Sequence, residues 1–159
     1  MKLPIMGAAK PVAPPTHTPL DPTKLMRVAS DLEDRADEQN IDSVTLGFVE
    51  EFSEETGTPE SHIVASFLAS NIELARESDI TFVVCSGKCQ SWGALDHIQH
   101  LLDVRRKRGD KAFDVRARGC LDRCEQAVVV SVETPDGAAV IPHATTEKLD
   151  EAIAQLIDG

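Results

Sequence analysis

The four cysteines of this chain form two matched pairs, and this arrangement constrains the fold more than any other feature of the sequence. Cys85 and Cys89 enclose the residues Ser-Gly-Lys, and Cys120 and Cys124 enclose Leu-Asp-Arg. Each pair stands where a short apolar stretch gives way to a polar loop, as at the end of a strand. Thiolates at this spacing let one loop wrap two ligands around a single soft metal centre. The sequence therefore predicts a metal site that uses every cysteine of the chain.

The cysteines on their own leave the kind of site open. A disulfide framework is typical of short secreted chains, and no signal peptide is expected here. A thiol–disulfide active site usually separates its cysteines by two residues, whereas both pairs here enclose three. Structural zinc and a [2Fe-2S] cluster both accept four thiolates at this spacing. Because four thiolates complete either site, His97 and His100 on the following predicted helix are not expected to be ligands.

The composition argues against several classes of partner. The formal net charge is −11 and the sequence pI is near 4.8, which disfavours nucleic acid or an anionic membrane surface. Five Phe, one Trp and no Tyr supply no platform on which bases would stack. No apolar run approaches the length of a membrane span, so we expect no direct membrane insertion and a cytoplasmic location. We therefore expect the chain to interact with other proteins and to exchange electrons with them.

The charge is unevenly distributed along the chain. Residues 21–60 carry twelve acidic and three basic side chains, a net charge of −9, whereas residues 104–118 carry seven basic and two acidic ones, a net charge of +5. Both segments fit solvated faces, but opposite patches also orient partner subunits. Because the basic segment lies between the two cysteine pairs, we expect it to lie beside the metal site. Arg105, Arg106 and Arg108 would then meet an acidic patch on a partner.

Three parts follow one another along the chain. Residues 1–20 are rich in proline and lack hydrophobic periodicity, which is typical of a flexible tail. Residues 21–78 predict a small subdomain of three amphipathic helices, with helix starts at Asp21-Pro22, at Ser43 and at Thr58-Pro59. Residues 79–159 change to alternating strands and helices and contain all four cysteines. We therefore expect a helical subdomain followed by an α/β domain that holds the metal site.

The order of elements in the second half indicates a thioredoxin-like fold. In chain order these are a strand at 80–84, a helix from 94, a half-exposed strand at 113–118, a strand at 127–132, a strand at 138–141 and a helix capped by Thr145 or Thr146. The first strand leads into Cys85 and the second into Cys120. A tight turn at residues 134–137 joins the last two strands as a hairpin. The order β-α-β-β-β-α is that of a thioredoxin-like fold.

The residues around the cysteines resemble a known family. A Val-Cys-Ser-Gly-Lys-Cys stretch at residues 84–89 is followed by Gly93, Ala94 and a helix. A Cys-Leu-x-x-Cys-x-x-Ala stretch at residues 120–127 is followed by a valine-rich strand. Over about residues 80–157, this pattern is similar to that of the thioredoxin-like [2Fe-2S] ferredoxins. It looks in particular like the NADH-dehydrogenase E subunit of respiratory complex I and the related small subunits of NAD-linked formate dehydrogenases and hydrogenases.

The chain departs from that family at several positions. The complex I subunit usually has one residue more between its first two cysteines than the chain has between Cys85 and Cys89. It often has a glycine and a proline where Asp122 and Val128 stand here. These differences affect the assignment to a subfamily more than the expectation that the chain binds a cluster.

The resemblance implies a function as well as a fold. The implied ligands of one [2Fe-2S] cluster are Cys85 and Cys89 on one iron and Cys120 and Cys124 on the other. The chain would then be an electron-transfer subunit that passes single electrons to or from a flavin- and NAD(P)-binding partner, without catalytic residues of its own. The alternatives are a free-standing or homodimeric ferredoxin that carries electrons or protects a partner, and a zinc-stabilised interaction module.

Overall fold

The computed structural model describes residues 14–109, 111–119 and 126–158. Its helices are α1 (Pro22–Glu38), α2 (Leu46–Thr56), α3 (Glu60–Ser66), α4 (Ala94–Arg108) and α5 (Thr146–Ile153). Its strands are β1 (Ser43–Val44), β2 (Glu73–Leu74), β3 (Thr81–Cys85), β4 (Asp114–Arg118), β5 (Val130–Thr134) and β6 (Gly137–Ile141). Short 3₁₀ helices cover Phe67–Ala69 and Lys88–Trp92, and a π-helical turn covers Ala154–Asp158. The protein is thus mixed α/β, as the sequence predicts, and no helix in these ranges has the length and apolar character needed to cross a membrane.

Local capping chemistry sets the ends of the first helices largely as expected. The side chain of Asp21 accepts a hydrogen bond from the backbone N–H of Thr23, 2.8 Å away, and Pro22 stands in the first turn of α1. α2 ends at Gly57, whose φ of 75° lies in the left-handed region that glycine adopts at little cost. α3 begins directly after Pro59. These predicted helix ends are confirmed.

The predicted cap of α2 at Ser43 is wrong. Thr45 caps the helix instead, because its Oγ1 accepts a hydrogen bond from the backbone N–H of Phe48, 3.2 Å away. Ser43 and Val44 form β1, which pairs in parallel with β2. The two strands come from distant parts of the sequence, and each contributes only two residues, so no local pattern indicates their pairing.

The larger sheet has the strand order β4-β3-β5-β6. The helix α4 connects β3 to β4, and these two strands pair in parallel. β3 also pairs antiparallel with β5, and β5 pairs antiparallel with β6. Thr134 lies opposite Gly137, which confirms the predicted hairpin. β5 begins at Val130, later than the predicted start at residue 127. From β3 to α5, the described elements follow the predicted order β-α-β-β-β-α.

One face of this sheet closes the hydrophobic core. Phe82 and Val84 on β3 point to the same face, because side chains alternate along a strand, and both are fully buried. The ring of Phe82 meets that of Phe113 edge to face, with centroids 5.1 Å apart. The same cluster of buried side chains includes Leu32 of α1, Val49 of α2, Ile63 of α3, Leu101 of α4 and Leu149 of α5. The helices of the first half therefore share a core with the sheet of the second half.

A buried ion pair lies where the sequence predicts surface residues. Asp114 is expected on the exposed side of a half-exposed strand, but it is 1% exposed. Its Oδ2 accepts hydrogen bonds from the backbone N–H groups of Glu77 and Ser78, at 2.8 and 2.9 Å. Arg105 is 5% exposed, donates from Nε to the carbonyl oxygen of Phe113 at 2.7 Å and lies 4.0 Å from Asp114 Oδ1. Arg105 therefore belongs to the interior and not to a docking surface.

Candidate metal centre at the ends of the parallel strands

The first cysteine pair lies at the edge of the sheet where the two parallel strands end. Cys85 is the last residue of β3, and Cys89 lies in the 3₁₀ helix that follows. The backbone N–H of Gln90 donates to the carbonyl oxygen of Gly87, 3.1 Å away, and so closes the loop on itself. Cys85 and Cys89 are 2% and 1% exposed. The fold therefore withdraws both sulfur-bearing residues from water.

The same loop packs directly against the chain that leads to the second pair. The Sγ of Cys85 lies 3.9 Å from the carbonyl oxygen of Gly119. A Cβ added to Gly87 would lie 2.1 Å from that oxygen, which is far closer than two such atoms can approach. Only a glycine lets the two backbones meet here. Gly119 directly precedes Cys120 in the sequence.

Backbone hydrogen bonds hold both flanks of residues 120–125 beside the first pair. On one flank, the N–H of Ser86 donates to the carbonyl oxygen of Arg118, 2.6 Å away. On the other flank, the N–H of Cys85 donates to the carbonyl oxygen of Val129, 3.1 Å away. The other two predicted ligands, Cys120 and Cys124, lie outside the described residues. The structure therefore brings the flanks of their segment to the first pair.

The donor set available in the described part of the chain is two thiols. In that part, no three or more His, Cys, Asp or Glu side chains are grouped so that they could hold a metal ion. Cys85 and Cys89 supply the type of donor that soft metals prefer. A complete site with four thiolates also needs Cys120 and Cys124. The residues on either side of that segment, Arg118 and Val129, are hydrogen-bonded to the backbone of Ser86 and Cys85. The residues present thus fit a thiolate-bound metal centre.

Two histidines brace the helix that follows the cysteine loop. The Nδ1 and Nε2 of His97 lie 2.8 Å from the carbonyl oxygens of Gly93 and Ala144. The Nε2 of His100 lies 2.8 Å from Oδ1 of Asp150. His97 therefore ties the end of the loop to the segment before α5. The sequence did not predict the contacts with Ala144 and Asp150, because these partners lie in a segment distant from α4.

Residues 16–20, which we call the N-terminal strap, lie across the cysteine loop. Its hydrogen bonds to the loop are those of Thr16 N and His17 N to Ser91 O, at 2.9 and 3.0 Å, and that of Leu20 N to Gln90 Oε1, at 2.8 Å. Gln90 in turn donates from Nε2 to the carbonyl oxygen of Ser86, 2.5 Å away. Gln90 therefore links the strap to the residue that follows Cys85. No local pattern in the predicted flexible tail indicated this contact.

Acidic partners neutralise two of the arginines that were expected at a docking surface. The guanidinium of Arg106 lies 2.6 Å from Glu60 Oε1. That of Arg108 lies 2.6 Å from Asp158 Oδ1. The hydrogen bond between Arg108 and Asp158 raises the pKa of the guanidinium and lowers the pKa of the carboxyl. These charges are thus engaged within the protein.

The basic segment is also divided between the two ends of the sheet, so its first half does not lie beside the cysteines. Arg105 contacts the residue before β4, and the first residue of β4, Asp114, lies opposite Thr81 at the start of β3. Cys85, at the other end of β3, lies opposite Arg118. The two ends are four residue steps apart along the strand, which corresponds to about 13 Å. Arg105, at the start of the basic segment, is therefore remote from Cys85, whereas Arg118, at its end, lies opposite Cys85.

Comparison with known proteins adds no family at this point. No family model matches the chain, and no curated protein has a similar sequence.

Proposed function

We propose that this chain is an electron-transfer protein of the thioredoxin-like [2Fe-2S] ferredoxin type. The proposed cluster ligands are Cys85, Cys89, Cys120 and Cys124. The observation that carries the proposal is the close approach of Gly87 to the carbonyl oxygen of Gly119. Two loops that each hold a thiolate pair have to meet in this way if they share one small metal centre.

The topology of the larger sheet supports the thioredoxin-like assignment. A parallel pair joined by a helix, followed by an antiparallel hairpin and a closing helix, accounts for β3 through α5. In such an α/β arrangement, the carboxyl ends of parallel strands form the edge at which ligands bind. Cys85 and Gly119 stand at that edge.

The residues of the chain have distinct roles in this proposal. When bound, a [2Fe-2S] cluster supplies reversible one-electron transfer. The burial of Cys85 and Cys89 keeps water from the thiolates, and nearby backbone N–H groups can donate to sulfur and adjust the potential. His97 holds the end of the loop in place. No side chain needs to move a proton.

The expected partner is a flavin- and NAD(P)-binding subunit of an oxidoreductase complex. A flavin is required to divide the two electrons of a hydride into single electrons. The chain has no Gly-rich dinucleotide loop of its own. It would therefore act as a non-catalytic subunit that accepts or delivers single electrons.

Metal analysis of anaerobically purified protein tests the proposal. We expect about two irons and two sulfides per chain, a visible absorption spectrum and a rhombic EPR signal after one-electron reduction. Cys85→Ser should lose most of the bound iron, whereas the matched variant His100→Ala should keep it. One zinc per chain without visible absorption would refute the proposal and establish the zinc-stabilised module instead.

A further inference from the structure

Two cations at the cysteine end of the sheet form no ion pair with any described residue. Lys88 lies within the cysteine loop, and Arg118 ends β4 opposite Cys85. Both are exposed. Their neighbour Arg116 differs, because its guanidinium donates to the carbonyl oxygen of Leu74. The charges of Lys88 and Arg118 are therefore available to an approaching molecule.

These two cations stand out against the charge of the whole protein. The chain has a net charge of −11. Several other arginines form ion pairs with carboxylates, namely Arg35 with Glu55, Arg76 with Glu133, Arg106 with Glu60 and Arg108 with Asp158. Other exposed cations, such as Lys107 and Lys111, also form no ion pair with a described residue, but they lie away from the cysteines. Lys88 and Arg118 are placed beside Cys85, so they bring positive charge to the cysteine end of an acidic protein.

We propose that Lys88 and Arg118 form a cationic rim that receives an acidic surface of the electron-transfer partner. The proposal rests on the function proposed above and names the chemistry of the surface that docks there. Beside the rim is a depression of about 290 Å³, lined by Arg76, Val83, Arg116, Ala117, Arg118 and Glu133. Glu133 is paired with Arg76, so Arg116 and Arg118 leave the depression with an excess of positive charge that suits a carboxylate of the partner. At physiological ionic strength the field of the rim extends over about 8 Å, so it acts on a docked surface more than on distant solute.

Two small oxidants of opposite charge test the sign of the rim. In stopped-flow experiments, the reduced protein is oxidised by the trianion tris(oxalato)cobaltate(III) or by the trication hexaamminecobalt(III). The test variant is Lys88→Gln/Arg118→Gln. The control is Lys107→Gln/Lys111→Gln, which removes the same charge from exposed cations at the opposite end of the sheet.

The two variants should differ in a defined way. At about 0.1 M ionic strength, screened Coulomb attraction at about 10 Å predicts that the rim variant reacts on the order of fivefold more slowly with the trianion and correspondingly faster with the trication. The control should stay within about twofold of the parent for both oxidants. Equal rates in the two variants would overturn the proposal.

Trp92 supplies a second measurement that does not depend on a bound cluster. It is the one tryptophan of the chain and shares a 3₁₀ helix with Lys88. At constant ionic strength, the ratio of quenching by iodide to quenching by caesium should fall in the rim variant and stay at the parent value in the control. If no cluster is found, the proposed function fails, and the quenching ratio alone then tests whether Lys88 and Arg118 form a cationic rim. An unchanged ratio in the rim variant refutes the rim. A concentration-dependent dimer that the rim variant abolishes would assign the rim to a second copy and also overturn the proposal.

Discussion

Gly87 has no space for a side chain, because an added Cβ would lie 2.1 Å from the carbonyl oxygen of Gly119. We expect Gly87→Ala to push the two cysteine loops apart and to cost about 1 to 3 kcal/mol of unfolding free energy through overpacking. The metal content of the purified variant should fall more than its helix content. Metal analysis together with urea unfolding followed by circular dichroism measures both.

A glycine elsewhere provides the matched control for that substitution. Gly47 lies inside α2, and a Cβ there would make only an ordinary contact of 3.5 Å with Oγ1 of Thr45. Gly47→Ala should stabilise the protein by roughly 0.4 to 1 kcal/mol, chiefly by restricting the unfolded chain, and leave the metal content unchanged. Equal metal content in Gly87→Ala and Gly47→Ala would contradict the role given to the contact between Gly87 and Gly119.

His62 carries a pH dependence that the metal site does not explain. Burial, and to a smaller extent the charge of Lys24, lowers the pKa of His62 from its ordinary value of 6.5. Its Nδ1 has no hydrogen-bond partner among the described residues. Such a histidine binds a proton more readily in the unfolded chain, so its contribution to stability is lost as the pH falls through about 6.5.

Replacing His62 should therefore flatten the pH dependence of stability. We expect the Tm of His62→Gln to fall less than that of the parent between about pH 7 and pH 5. Thermal unfolding at both pH values measures the difference. A parent-like fall in the variant would show that other groups govern this range.

At the scale of elements, the side chain of Gln90 is one of the groups that attach the N-terminal strap to the cysteine loop, beside the carbonyl oxygen of Ser91. Its amide group connects Leu20 N–H on the strap with the carbonyl oxygen of Ser86 on the loop. Gln90→Ala should cost about 1 to 2 kcal/mol, because each neutral hydrogen bond contributes about 1 kcal/mol. Amide hydrogen exchange at Thr16 and His17 should become faster as the strap detaches.

Gln99→Ala is the control for the strap. Gln99 also makes two hydrogen bonds through its amide, with Ser61 N and Asp103 Oδ1, but it lies away from the strap. Its replacement should leave exchange at Thr16 and His17 unchanged. Similar exchange rates in the Gln90 and Gln99 variants would mean that Gln90 does not hold the strap.

At the scale of the whole molecule, one hydrophobic cluster joins the early helices to the main sheet. Although the sequence suggests a helical subdomain and a separate α/β domain, elements that share a core are expected to unfold together. Trp92 fluorescence reports on the second half, and circular dichroism near 222 nm is dominated by helix. We expect both signals to give the same urea midpoint. Two separate midpoints would instead support independent subdomains.

Local sequence patterns predicted the elements whose determinants are close together in the chain. Asp21 and Gly57 at helix ends and the turn between β5 and β6 were predicted correctly, because capping and tight turns depend on a few adjacent residues. Ser43 was misassigned because its strand partner, Glu73, lies far along the chain. Cross-strand pairing of two residues leaves no periodicity to detect.

The spacing of the cysteines, the order of elements and the mixed α/β class follow from the sequence itself, because periodicity and turn chemistry are written in neighbouring residues. The burial of Arg105 and Asp114, the bracing by His97 and the separation of Arg105 from Arg118 depend on the tertiary structure alone. Each of these results from contacts between segments that are distant in the chain, and only the folded sheet determines which segments meet. The same folding places Gly87 against Gly119 and thereby sets the edge where the cysteine pairs converge in the function proposed here.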